Sequence, residues 1–158
     1  MKDTVYIFLD IDGVLNSRYY FQVEKTGSYT DMKDEISPWN VSILKLFTDK
    51  FPNHKIILSS SWREKNYLRN IIDEVLHEYG LKLSGRTPQL PYEENATRGN
   101  EILYYMKEHG INKRQIVIFD DESDMGELKD RLIKTRFDDG LTFADIRKAE
   151  LLLRDGKE

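Results

Sequence analysis

The sequence predicts an α/β fold in which helices cover both faces of a central parallel sheet. Three observations carry that expectation. Continuous apolar runs at Thr4–Asp10, Lys55–Ser59 and Gln115–Asp120 each end in polar or acidic residues. Segments with apolar residues at helical spacing lie between them. Strands alternating with helices imply βαβ units and hence parallel pairing.

The run from Thr4 to Asp10 is apolar throughout, as in a strand buried on both faces, and Lys55–Ser59 and Gln115–Asp120 read the same way. Arg131–Phe137 is a weaker, mixed candidate for a further strand. Ser37 before Pro38 is a helix N-cap with proline at the first position, followed by Val41, Leu44, Phe47 and Phe51 on one stripe. Tyr67–Tyr79 carries Leu68, Ile71, Ile72, Val75 and Leu76, with Gly80 as its stop. Thr97 caps a helix carrying Ile102, Leu103 and Met106 that stops near Gly110. Thr142 with Asp145 resembles a capping box opening the last helix. Residues 17–36 are polar and poorly patterned, and read as a mobile loop or small flap; residues 80–97 read as a second long loop. No linker rich in Pro, Gly or Ser divides the chain, so 1–158 is expected to be one domain.

The bulk composition narrows the function classes. With 39% hydrophobic and 33% charged residues, the 158-residue chain is globular rather than disordered. It has no cysteine, which excludes disulfides, thiolate metal sites and thiol nucleophiles. The first apolar run is too short for a signal peptide core or a membrane span, so a cytoplasmic protein without membrane contact is expected. A formal net charge of −4 leaves any polyanion to be held by a local patch rather than by the overall field.

The chemistry gathers at the strand ends. The first run closes on Asp10-Ile11-Asp12-Gly13, the second on Ser59-Ser60-Ser61 and the third on Asp120-Asp121. In an open parallel sheet, ligands bind beyond the carboxyl ends of the strands, so these tips share one edge. The carboxylates of Asp10, Asp12, Asp120 and Asp121 repel one another there unless a cation intervenes. A hard ion with oxygen ligands, Mg²⁺, suits them and leaves coordination sites for a phosphate. The Ser59 hydroxyl and Arg98, at a predicted helix start, supply donors for developing negative charge. Gly13 lets the chain turn at once, so that Asp12 can stand beside Asp10, one acid attacking phosphorus and the other handling a proton. Trp62 and Arg63, next to Ser60, offer a stacking platform for a base or sugar, and read equally as a core tryptophan and an arginine paired with an acid.

Phe8-Leu9-Asp10-Ile11-Asp12-Gly13-Val14-Leu15-Asn16 resembles the first motif of the haloacid dehalogenase (HAD) superfamily of phosphatases. Ile57-Leu58-Ser59 resembles the second motif, Arg98 within Thr97–Glu101 the third, and Ile118-Phe119-Asp120-Asp121 the fourth. The resemblance implies a Rossmannoid, HAD-like three-layer sandwich with a minimal cap, formed here by residues 17–36. It implies Asp10 as nucleophile and Mg²⁺ ligand, Asp12 as general acid/base with its carbonyl on the metal, and Ser59 and Arg98 as phosphoryl holders. Asp120 and Asp121 would complete the metal site, with Asp124 in an outer shell. Ser60 is the alternative to Ser59, and another basic residue the alternative to Arg98.

Ser59–Arg63, Thr87–Leu90, Arg98–Ile102 and Gly140–Thr142 look more specifically like the HAD domain of RNA-repair proteins and, more distantly, the 3′-phosphatase domain of polynucleotide kinase-phosphatase. About twenty residues separate the first motif from the first helix, against roughly 50 or more for a separate domain, so no large cap fits there. The expected activity is a Mg²⁺-dependent aspartyl-phosphate phosphomonoesterase on nucleic-acid 3′ ends, in nucleic-acid (RNA) repair. A small-molecule or nucleotide phosphatase is the alternative, and a catalytically silent regulatory binding module is the second. Protein partners are not legible.

Overall fold

The computed structural model describes residues 3–25, 31–92 and 95–155. Its strands are β1 Val5–Leu9, β2 His54–Leu58, β3 Leu83–Arg86, β4 Ile116–Asp120 and β5 Leu132–Lys134. They form one sheet in the order β3-β2-β1-β4-β5. Every neighbouring pair is parallel. The α-helices are α1 Pro38–Asp49, α2 Asn66–Glu78, α3 Arg98–His109 and α4 Phe143–Asp155.

Burial on both faces explains why the strands read as unbroken apolar runs. Ile7 and Leu9 of β1 join a core with α1, α2 and α4, including Val41, Phe47, Ile72, Leu76 and Ala149. Phe8 points the other way, into a smaller core with Ile102, Tyr105 and Met106 of α3. The result is a three-layer α/β/α sandwich of Rossmannoid type. The chain crosses to the second face between β3 and β4, so the strand order reverses at β1. That reversal opens the crevice between β1 and β4 in which doubly wound sheets bind their ligands.

The helix boundaries follow from their caps. Ser37 Oγ accepts from Asn40 N at 3.3 Å, and Thr97 Oγ1 accepts from Asn100 N at 3.1 Å. Thr142 and Asp145 bond reciprocally, with Thr142 N donating to Asp145 Oδ2 at 3.0 Å and Asp145 N donating to Thr142 Oγ1 at 3.3 Å. Gly110 closes α3 in the left-handed region at φ 62°.

Two segments differ from expectation. Residues 80–97 are not one long loop, because β3 lies within them as an edge strand beside β2. Leu-Ser-Gly-Arg has no apolar run to announce it. Gly85 gives Tyr105 room: a Cβ there would stand 2.6 Å from Tyr105 Oη and the ring would have to shift. The weak strand at 131–137 contracts to Leu132–Lys134, after which Arg136 bridges to Gly140 in a tight reversal.

Of the flap at 17–36, residues 26–30 lie outside the described residues. The remainder forms a π-helical turn at Tyr20–Glu24 and a 3₁₀ turn at Met32–Glu35. Tyr20 is buried, and its hydroxyl donates to Asp34 O at 2.6 Å, tying the two turns together. Tyr19 remains exposed. Among the described residues no helix is long and apolar enough to cross a membrane.

Candidate active site

The parallel register brings the predicted residues to one edge. Leu9 stands opposite Leu58 on one side and Phe119 on the other, so Asp10, Ser59 and Asp120 are the next residues of three adjacent strands. Asp10 N donates to Phe119 O at 3.0 Å and Ser59 N donates to Leu9 O at 2.8 Å, which continues the ladder past the tips. One carboxylate oxygen each from Asp10, Asp120 and Asp121 lie within 4.8 Å of one another. Asp121 is brought in by Gly13: at φ 83° the glycine leaves open the space that the Asp121 carboxylate fills, and a Cβ would collide with it.

Asp10 and Asp120 are both buried, at 6% and 0% exposure. Burial first, and then the Asp120 charge, push Asp10 up to about 8 despite the opposing pull of Arg98. Burial also raises Asp120 to about 6, opposed by Arg98 and by the Glu122 amide. Burial thus favours the protonated form of both acids when no cation is bound. Arg98 Nη1 lies 3.6 Å from Asp10 Oδ1 and 3.8 Å from Asp120 Oδ2, and also donates to Ser59 O.

Two buried atoms here have no hydrogen-bond partner among the described residues: Asp120 Oδ2 and Ser59 Oγ. A buried polar atom without a partner is costly, so each points to a group that completes it. An all-oxygen set of three clustered carboxylates, one with an orphaned oxygen, fits a hard divalent cation. The orphaned hydroxyl beside Arg98 fits a phosphoryl oxygen.

The other sequence candidates fall into different places. Ser60 Oγ accepts from Trp62 N at 3.2 Å and so caps a 3₁₀ turn at Ser61–Glu64. Of the two readings left open for Trp62 and Arg63, the structure matches the core tryptophan and the arginine paired with an acid: both are buried, at 5% and 7% exposure. Arg63 Nη2 pairs with the buried Glu101 Oε2 at 2.8 Å, and its Nη1 donates to Ser60 O at 2.6 Å. The turn folds both side chains inward because Ser60 closes it. Asp124 caps the start of α3 by accepting from Arg98 N at 3.1 Å, an acid where the helix dipole favours one and where it offsets the cost of Arg98. Asp12 is exposed, but both its oxygens accept hydrogen bonds, Oδ1 from Asn16 Nδ2 at 2.9 Å and Oδ2 from Trp62 Nε1 at 3.2 Å. Its side chain lies outside the three-carboxylate cluster.

Sequence reasoning did not single out Asn16 or Glu101. Asn16 lies four residues after Asp12 beyond the Gly13 turn, a spacing that returns its side chain to the same loop. Glu101 lies three residues after Arg98, on the same helical face, and that periodicity was the available signal.

No curated protein matches the chain closely enough to stand as a relative. The family described as the HAD domain in Swiss Army Knife RNA repair proteins matches residues 6–146, from the first strand into the last helix. HAD domains generally use a divalent metal, in agreement with the acidic cluster. With the sheet order, the carboxylate cluster and this match together, the chain belongs to the HAD-domain family of Swiss Army Knife RNA repair proteins and is a HAD-type phosphatase.

Proposed function

We propose that the protein is a Mg²⁺-dependent phosphomonoesterase that forms an aspartyl-phosphate, an acyl phosphate, on Asp10 and acts on 3′-phosphorylated nucleic-acid ends, RNA in particular. The observation that carries this reading is the meeting of Asp10, Asp120 and Asp121 within 4.8 Å, beside the partnerless Ser59 hydroxyl. Asp10, Asp120, Asp121 and the Asp12 carbonyl would hold the ion. A bound Mg²⁺ supplies positive charge that keeps Asp10 ionised and neutralises the phosphoryl oxygens.

Each remaining step falls to a side chain. Ser59 Oγ and the Arg98 guanidinium hold the phosphoryl group. An Asp10 oxygen attacks phosphorus as the bond to the leaving oxygen breaks, and Asp12 gives its proton to that oxygen, releasing an alcohol. Asp12, now a carboxylate, takes a proton from water. The water oxygen attacks phosphorus, which releases inorganic phosphate and restores Asp10.

A polymer end as substrate is supported by the short stretch between the first motif and α1, which is too small for a separate cap domain. Beside the flap runs a groove lined by Tyr19, Glu24, Trp39, Asp139 and Thr142. Tyr19 and Trp39 are about half exposed there, and they offer the stackable faces that Trp62 does not.

The test is turnover of 3′-phosphorylated oligonucleotides and of mononucleotides, with and without Mg²⁺. The expected result is Mg²⁺-dependent release of phosphate, with kcat/KM higher for the oligonucleotide. Preference for mononucleotides would make the enzyme a nucleotidase, and absence of hydrolysis with any phosphomonoester would make it a binding module. Asp10→Asn should abolish turnover with the fold intact, and retained activity would remove Asp10 as nucleophile.

A further inference from the structure

Asp12 is gripped from two sides by groups that can only donate to it. Trp62 Nε1–H has no acceptor capacity at all. Asn16 does, but its Oδ1 already accepts from Gly13 N at 2.9 Å, so it faces Asp12 with its amide NH₂. Both donors are fixed: Asn16 is fully buried and Trp62 is 5% exposed. Asn16 Nδ2 also donates to Glu35 O of the flap at 3.1 Å, and the Trp62 amide is capped by Ser60. Three segments, the loop after β1, the turn after β2 and the base of the flap, thus converge on one exposed carboxylate.

A carboxyl group has about four lone-pair sites, and this grip occupies two, one on each oxygen. Neither neighbour can receive a proton from Asp12. A proton on Asp12 must therefore sit on a lone pair facing away from Trp62 and Asn16, where only water or substrate can take it. We propose that Trp62 is a positioning residue for proton transfer, fixing the plane of Asp12 so that its proton is directed at the leaving oxygen. This inference rests on the general acid role given to Asp12 above.

The experiment compares leaving groups. An alkyl phosphate, such as a nucleoside 3′-phosphate, must have its leaving oxygen protonated, whereas 4-nitrophenyl phosphate releases a stable anion without that help. Asp12→Asn is expected to lower kcat/KM for the alkyl ester by about 10²-fold or more, the range of general acid catalysis, and much less for the aryl ester. Trp62→Phe keeps the ring and removes only the N–H. It is expected to cost the alkyl ester about tenfold more than the aryl ester, as a partial loss of the same catalysis. In the Asp12→Asn background, Trp62→Phe should change alkyl turnover by no more than about twofold, because a residue acting through another is non-additive with it.

Equal losses for both esters in Trp62→Phe, or full additivity in the double variant, would overturn the inference while leaving Asp12 as the acid. Leaving-group indifference in Asp12→Asn itself would overturn the acid assignment and this inference with it. The aryl ester also reports folding: a Trp62→Phe protein that loses both activities together with its thermal transition is replaced by Trp62→His, which retains a ring N–H and should recover alkyl turnover above Trp62→Phe. Failure of that recovery would count against the inference.

Discussion

Arg98 Nη1 stands 3.6 Å from Asp10 Oδ1, at the point where the first strand ends and the third helix begins. The guanidinium is the one cation paired with these buried acids among the described residues, and it also holds Ser59 by its carbonyl. Its removal would take away the proposed phosphoryl donor and leave the acids more repulsive. Arg98→Ala is expected to lower kcat/KM by about 10²–10³-fold, the cost of deleting one pre-placed donor to developing charge. Arg98→Lys should recover only part of this, because an ammonium lacks the forked geometry. Steady-state kinetics on a phosphomonoester checks both.

Stability should respond to pH and Mg²⁺ jointly. Without an ion, folding raises Asp10 from its ordinary 3.8 to about 8 and Asp120 to about 6. Between 3.8 and those values the folded chain binds more protons than the unfolded one, so this contribution to stability falls as pH rises from about 4 to about 8. A divalent cation binds the ionised carboxylates and reverses the trend. Thermal denaturation in EDTA and in saturating Mg²⁺ at pH 5 and pH 8 should show a larger gain in Tm from Mg²⁺ at pH 8. An equal gain at both pH values would place the ion away from these acids.

Glu101 anchors the turn behind Ser59. It pairs with Arg63 at 2.8 Å with both side chains 7% exposed, and it accepts from Leu90 N at 3.2 Å. Glu101→Ala would leave the Arg63 charge buried without its partner, which costs about 3–5 kcal/mol. Chemical denaturation should show that loss. Replacing both residues by apolar side chains of similar volume should cost much less, because the desolvation of the pair is removed along with it.

Much of the molecule was legible because its signals are local. Thr4–Asp10 announces a strand buried on both faces, and Ser37, Thr97 and Thr142 announce helix starts with their own side chains. The convergence of Asp10 with Asp120 and Asp121 was legible too, since parallel topology aligns strand tips. What escaped depends on neighbours distant in sequence. β3 has no apolar run and exists by pairing with β2, with Gly85 making room for Tyr105. For Trp62 and Arg63 the residue types left a stacking surface and a buried, acid-paired arrangement equally open, and the Ser60-capped turn and the distant Glu101 decide for the second. Asp124 is acidic like the cluster, yet it answers to the first amides of α3.

The seam between β1 and β4 has a consequence for how the enzyme comes into being. Its paired acids come from distant parts of the chain, Asp10 from the first strand and Asp120 from the fourth, and they meet only after the crossover through α3 has been made. A chain emerging from the ribosome only as far as β3 can shape the first strands but carries half an ion site. Capture of the proposed cation would thus report that β4 has taken its place beside β1.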